Sequence, residues 1–220
     1  MPFTEPMAAQ GAHDRNADGY SDLAFGSPLP DAPLFYVLGG ATAVPGGATP
    51  TFGGYDPVVE TRPLPTRAMS FASGDFDGDG LADLAFVTTQ DGKPAVCFMS
   101  ATEPEEKVNV VCHVPAAAPA GFAASIIACD VDGDGRDEVL VGSTSEGVDI
   151  LRRTANTVLA EHLATAHGTQ LATVHPGRPG AAVWAATRAD GTSVAIFKGT
   201  ASVTTLAPFG DASRFGRFVR

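Results

Sequence analysis

Residues 75–89 read DFDGDGLADLAFVTT, an acidic, glycine-bearing loop that runs straight into an apolar stretch. The same order returns without gaps in DRNADGYSDLAFGSP from Asp14 and in DVDGDGRDEVLVGST from Asp130, so the three starts lie 61 and 55 residues apart. A worn fourth copy, VHPGRPGAAVWAATR, aligns from Val174 after a further 44 residues and keeps the apolar run 181–186 but none of the acids. A last run, FGRFV at 215–219, resembles residues 122–128 ahead of the third loop. A chain that repeats itself in this way is an array of like units whose apolar faces are buried by stacking.

Around the second loop, short strands bounded by turn signals are predicted at 68–73, 84–88, 95–101 and 108–114. Four short strands in about 50 to 60 residues make one propeller blade. The fold class is therefore all-β: blades of four-stranded antiparallel sheets, about four of them, plus one extra C-terminal strand. The blades fall at about residues 7–62, 67–115, 121–164 and 168–207, with the extra strand at 213–220. Within LRRTANTVLAEHLATAHG (151–168), Leu151, Ala155, Val158, Leu159, His162 and Leu163 have helical spacing, so this stretch reads either as a turn and outer strand or as a helix. If the hairpin after residue 95 turns around Pro104 and Glu105, Cys97 faces Cys112, at a separation that suits a cross-strand disulfide or two packed thiols. Cys129 reads as a free, buried thiol.

Each of the three loops places oxygen side chains at positions 1, 3, 5 and 9 and glycine at position 6. The sets are Asp14, Asn16, Asp18 and Asp22; Asp75, Asp77, Asp79 and Asp83; and Asp130, Asp132, Asp134 and Glu138. Carboxylates two residues apart repel one another unless a cation sits among them. A hard ion taking six to eight oxygens fits best, which points to three calcium sites completed by the position 7 carbonyls of Tyr20, Leu81 and Arg136. Gly19, Gly80 and Gly135 supply the sharp turn. Magnesium demands a tighter octahedron, and zinc or iron would call for His or Cys, neither of which stands at a ligand position. An EF-hand is excluded, since position 12 is Phe25, Phe86 or Val141 instead of a bidentate Glu. The fourth copy is expected to bind no calcium. Metal-free Asp/Gly turns are the plainer explanation of any one loop; three in one register favour metal.

The chain has 220 residues and a net charge of −11, and the acids among the proposed ligands carry eleven negative charges, so the rest is balanced. Lys and Arg number only 14, which disfavours nucleic acid as a partner. With 25 glycines and 17 prolines a helix bundle is excluded, and with 44% apolar residues so is disorder. No apolar run approaches the ~20 residues of a membrane span, and no signal peptide is visible at the start. Catalysis is not expected: no nucleophile elbow, zinc helix or phosphate loop occurs, and His13, His113, His162, His167 and His175 share no ligand spacing. The sequence Arg188-Ala189-Asp190-Gly191 reads as a hairpin turn, not as an adhesion tripeptide. Trp184, the one Trp, reads as core.

The stretches GDFDGDGLADLAF, CDVDGDGRDEVLVGS and DRNADGYSDLAFGSP resemble the FG-GAP repeats of integrin alpha-subunit propellers and their bacterial relatives, also described as VCBS-type repeats. The resemblance spans about residues 7–200 at blade level and three loops at motif level. It implies a propeller whose calcium loops join the first and second strands of each blade, and roles in extracellular or cell-surface adhesion, ligand binding or attachment to secreted enzymes. The expected function is a non-enzymatic, calcium-stabilised module that binds a protein or glycan. Segments 27–33, 89–93 and 187–191 would lie on the face opposite the metal loops. A lectin or polysaccharide-active module is the alternative, and the aromatic content of 8% weighs against it. Such propellers commonly have seven blades. Closure by the C-terminal strand, by a homodimer completing the ring, or within a longer protein are all open.

Overall fold

The computed structural model describes residues 8–11, 23–26, 34–37, 59–62, 70–100, 110–118, 121–123, 125–144, 147–164, 170–174, 180–187 and 193–207. Among these residues every regular element is a strand. The first sheet takes β1 (Ala8–Gly11), β2 (Leu23–Gly26), β3 (Leu34–Val37) and β4 (Val59–Arg62). The second takes β5 (Ser70–Gly74), β6 (Asp83–Gln90), β7 (Lys93–Met99) and β8 (Val110–His113). The third takes β9 (Ser125–Cys129), β10 (Glu138–Gly142), β11 (Val148–Arg153) and β12 (Val158–Leu163). The fourth takes β13 (Leu171–Val174), β14 (Val183–Thr187), β15 (Val194–Lys198) and β16 (Ala201–Leu206). Each sheet is antiparallel with its strands in chain order. First strands lie side by side, β1 against β5, β5 against β9 and β9 against β13, so the sheets follow one another as propeller-like blades. Residues 208–220, which hold FGRFV, lie outside the described residues, as do 188–192.

Central strands are buried on both faces, which is why LAFV and VLV run apolar without alternating. Between the second and third sheets, Phe76, Ala85, Val87 and Phe98 pack with Ile126, Val139, Val141 and Leu151. Phe76 meets Phe98 edge-on, with centroids 5.2 Å apart. Between the third and fourth, Cys129, Leu140 and Ile150 pack with Leu171, Trp184, Ala186 and Phe197. Each junction removes both of its sheet faces from water, the chief favourable term of such a stack. The outer strand β16 is exposed along its whole length.

Residues 151–164 of the stretch with helical spacing are strand, turn and strand. Thr154 N–H donates to Thr157 O at 2.8 Å, and Arg152 pairs with Leu159 across the hairpin. The helical spacing is incidental, because Leu151 points into the core while Leu159 is 57% exposed. Cys97 and Cys112 are directly opposite, as the hairpin register predicts, and are joined by a disulfide. Cys129 is free and buried, and burial above all pushes its thiol up to about 12. The turn between β6 and β7 is the pair Asp91-Gly92, both at positive φ, a tight two-residue hairpin connection.

The fourth copy needs a correction of one residue. Trp184 and Ala186 face the third sheet just as Val139 and Val141 face the second, so the strands match at an offset of 45 residues instead of 44. Backbone contacts agree: Ala182 N–H donates to Asp130 O at 2.7 Å where Asp137 N–H donates to Asp75 O at 2.8 Å. Gly180, at φ 134°, then falls at position 6 beside Gly80 and Gly135, at 84° and 92°. Without acids to mark the loop, a gapless alignment places it one residue too early. His175 now stands at position 1, and neither register gives this loop an acid.

Candidate metal centre

Two acidic loops, 75–83 and 130–138, join the first and second strands of their sheets. Their first carboxylates organise the backbone. Asp75 Oδ1 accepts the N–H groups of Gly78 (2.7 Å) and Asp79 (3.1 Å), and Oδ2 that of Gly80 (2.9 Å). Asp130 repeats the pattern, with Oδ1 accepting from Gly133 (2.6 Å) and Oδ2 from Gly135 (3.0 Å). Asp79 and Asp134 accept the N–H groups of Leu81 and Arg136 at 2.9 and 2.8 Å, which close the loops. Gly78 and Gly133 at position 4 also have φ 83°, a demand the sequence reading placed only on position 6. Gly133 has a second reason: a Cβ there would lie 2.8 Å from the backbone nitrogen of Ala181 in the next blade.

Asp75, Asp77 and Asp79 each bring a carboxylate oxygen within 4.8 Å of the others, and so do Asp130, Asp132 and Glu138. Asp83 and Asp134 stand outside these groups. Glu138 Oε2 accepts the Val131 N–H at 2.7 Å, while the Asp83 side chain, with no exposed surface, turns to Arg153. Asp14, Asn16, Asp18, Tyr20 and Asp22 lie outside the described residues. Both clusters consist only of oxygen donors with no His or Cys, a donor set suited to a hard divalent cation.

Residues 122–158 match the family described as the FG-GAP repeat. The match falls on the third sheet. No curated protein matches the chain. The repeat covers β9 to the start of β12 and encloses the second acidic cluster. The match lies within an array of four antiparallel, propeller-like sheets.

Several residues at these two loops carry no sequence signal of their own. Asp137 accepts the Asp75 N–H on Oδ2 at 3.0 Å, tying one loop to the next across 62 residues. Ser100 Oγ donates to Asp77 Oδ2 at 3.3 Å. Arg152 and Arg153 reach the third and ninth positions of both loops. His162 is not part of the site; its Nδ1 lies 2.7 Å from Asp149 on the outer strands.

Burial, ahead of every other influence, pushes Glu138 up to about 7; Asp132 and Asp134 push the same way, while the Val131 N–H and Arg152 oppose. A carboxyl whose folded value exceeds its unfolded one retains a proton that the unfolded chain has released. Glu138 is therefore expected to withdraw stability from the metal-free protein as pH rises from about 4.5 to about 7. Melting temperatures in chelator across that window should fall more steeply for the wild type than for Glu138→Gln. Parallel profiles would mean that Arg152 keeps Glu138 ionised throughout.

Proposed function

We propose that this chain is a calcium-stabilised, non-enzymatic propeller module of the FG-GAP type that offers its loops to a protein or glycan outside the cell or at its surface. The observation that carries the reading is the convergence of carboxylates in two successive loops that also touch one another. The Asp75 peptide group is held on both sides by Asp137, so an ion that fixes the loop at Asp75 also fixes the contact between blades. When bound, calcium would neutralise the carboxylates and hold the loop closed; Asp75, Asp77 and Asp79 would grip one ion, and Asp130, Asp132 and Glu138 another. The loop at Asp14 would hold the third.

Secretion draws support from the Cys97–Cys112 disulfide, which suits an oxidising compartment. No helix among the described residues is long and apolar enough to cross a membrane. A sugar-stacking role for Trp184 draws none, because its side chain is 1% exposed. The test is thermal melting with chelator and with millimolar calcium. At 100 times its Kd each site adds about 2.7 kcal/mol, and about 1 kcal/mol raises the melting temperature of a chain this size by roughly 2–4 °C. A rise of several degrees per site is expected, with one site's share lost in Asp77→Ala. Coincident curves would end the calcium reading, and turnover of a polysaccharide abolished by a mutation outside the loops would end the non-enzymatic one.

A further inference from the structure

Arg152 and Arg153 are neighbours on β11, so their side chains leave opposite faces of the strand. Arg153 crosses to the second blade, where Nη1 lies 3.1 Å from Asp83 Oδ2 and 3.5 Å from Asp77 Oδ2. Arg152 stays with the third blade, where Nε lies 3.1 Å from Glu138 Oε1 and 3.4 Å from Asp132 Oδ2. Asp77 and Asp132 are both third in their loops, and Asp83 and Glu138 are both ninth. One dipeptide therefore spans the same two positions of two successive loops. The contact with Asp83 joins residues 70 apart in sequence.

The burial of the two arginines differs. The Arg153 side chain is 6% exposed against an Asp83 carboxylate with none, and its Nε has no hydrogen-bond partner. A guanidinium so far from water is aimed at Asp77, an acid of the candidate cation site, and at Asp83, the ninth-position acid of the same loop. Arg152 is 30% exposed and also donates from Nη1 to Glu161 Oε2 at 3.0 Å, so it has a second acceptor to move toward.

We propose that Arg152 and Arg153 act as built-in counter-cations, standing in for metal charge at the third and ninth positions so that both blades stay folded with empty loops. The proposal rests on the calcium reading above. The acids of an empty loop repel one another, and the guanidinium offsets part of that. A divalent ion entering the same cluster meets a positive charge held a few ångströms away. The arginine therefore stabilises the empty state more than the filled one and weakens calcium binding, by about tenfold or more, tenfold being the size for a unit charge near a divalent ion under bulk-water screening. These are positioning residues, expected to set affinity without contacting the ion.

The experiment compares wild type, Arg153→Met and Arg152→Met by melting in chelator and in saturating calcium, together with calorimetric titration of calcium. Methionine keeps an apolar stem in the space of the arginine and removes the charge. Arg153→Met is expected to melt about 10 °C lower in chelator, with half of that loss or less in calcium, and to bind one calcium about tenfold more tightly. Arg152→Met should show the same pattern at about 3 °C. Equal losses with and without calcium, or weaker calcium binding, would overturn the proposal while a calcium shift in the wild type left the calcium reading standing. Melting and titration indifferent to calcium in both the wild type and Arg153→Met would end both readings. Should Arg153→Met be unfolded in chelator, refolding on addition of calcium supports the proposal, and failure to refold overturns it.

Discussion

Asp83→Ala is expected to destabilise the chain by about 3–5 kcal/mol, a drop near 10 °C, whether or not calcium is present. The reason is the partner left behind. Arg153 is 6% exposed and Asp83 fully buried, so truncating the acid leaves a buried guanidinium whose remaining acidic partner among the described residues is Asp77, 3.5 Å away. Uncompensated buried charge is among the costliest single defects a fold can carry. Asp79→Ala makes the contrast. Asp79 is exposed, accepts one local N–H from Leu81 and belongs to the acidic cluster, so its loss should cost less than about 1 kcal/mol in chelator yet remove the loop's calcium response. If Asp83 served only as a metal ligand, the two variants would behave alike. The double variant Asp83→Ala/Arg153→Met should regain much of the loss, since removing both charges leaves neither stranded. Thermal melting of the four proteins decides this, and a double variant no more stable than Asp83→Ala would remove the ion pair as the cause.

That contrast also marks how far the sequence alone could reach. The acidic loops between first and second strands, the glycine at position 6, the strand after each loop and the facing of Cys97 and Cys112 are all set by residues near one another in the chain. Spacing was enough to read them. Asp83 looked like every other ninth-position acid because its partner arrives from β11, 70 residues away, through a contact between blades. Asp137 and Arg153 escape local patterns for the same reason, since each acts on the neighbouring blade, whereas Arg152 meets Glu138 within its own sheet. Glu138 and Asp83 occupy equivalent positions and part company in the fold. The longer Glu side chain reaches back to the Val131 N–H and its cluster, whereas the shorter Asp meets a buried arginine. The slip of one residue in the fourth copy has another origin. Acids had served as the alignment marks, and a loop without them left only GRPGAA, whose small residues match in either register.

The fourth blade supplies the other large effect, at Trp184. Its ring stacks on Phe197 with centroids 4.2 Å apart and planes 12° from parallel, and its Nε1–H donates to Gly199 O at 2.7 Å. Gly199 in turn sits so close to the third blade that a Cβ there would lie 2.9 Å from Val131 O, and its N–H donates to Ala182 O. The indole thus fills the space between two sheets and also pins the turn that abuts the base of the loop at Asp130. Trp184→Ala is expected to cost about 3–5 kcal/mol through lost burial and the cavity left, and to leave the Gly199 carbonyl short of its donor. Trp184→Phe keeps an aromatic face for Phe197 but not the hydrogen bond, so its loss should be about 1–2 kcal/mol. Because neighbouring blades share only their interfaces, the damage should spread mainly between the third and fourth sheets. Denaturant unfolding followed by circular dichroism gives both values. The same residue, as the only Trp, reports its own burial: native fluorescence should be blue-shifted and should redden when this junction opens. A native spectrum like that of Trp in water, or an Ala variant within 1 kcal/mol of wild type, would mean that the third and fourth blades are not held together through Trp184.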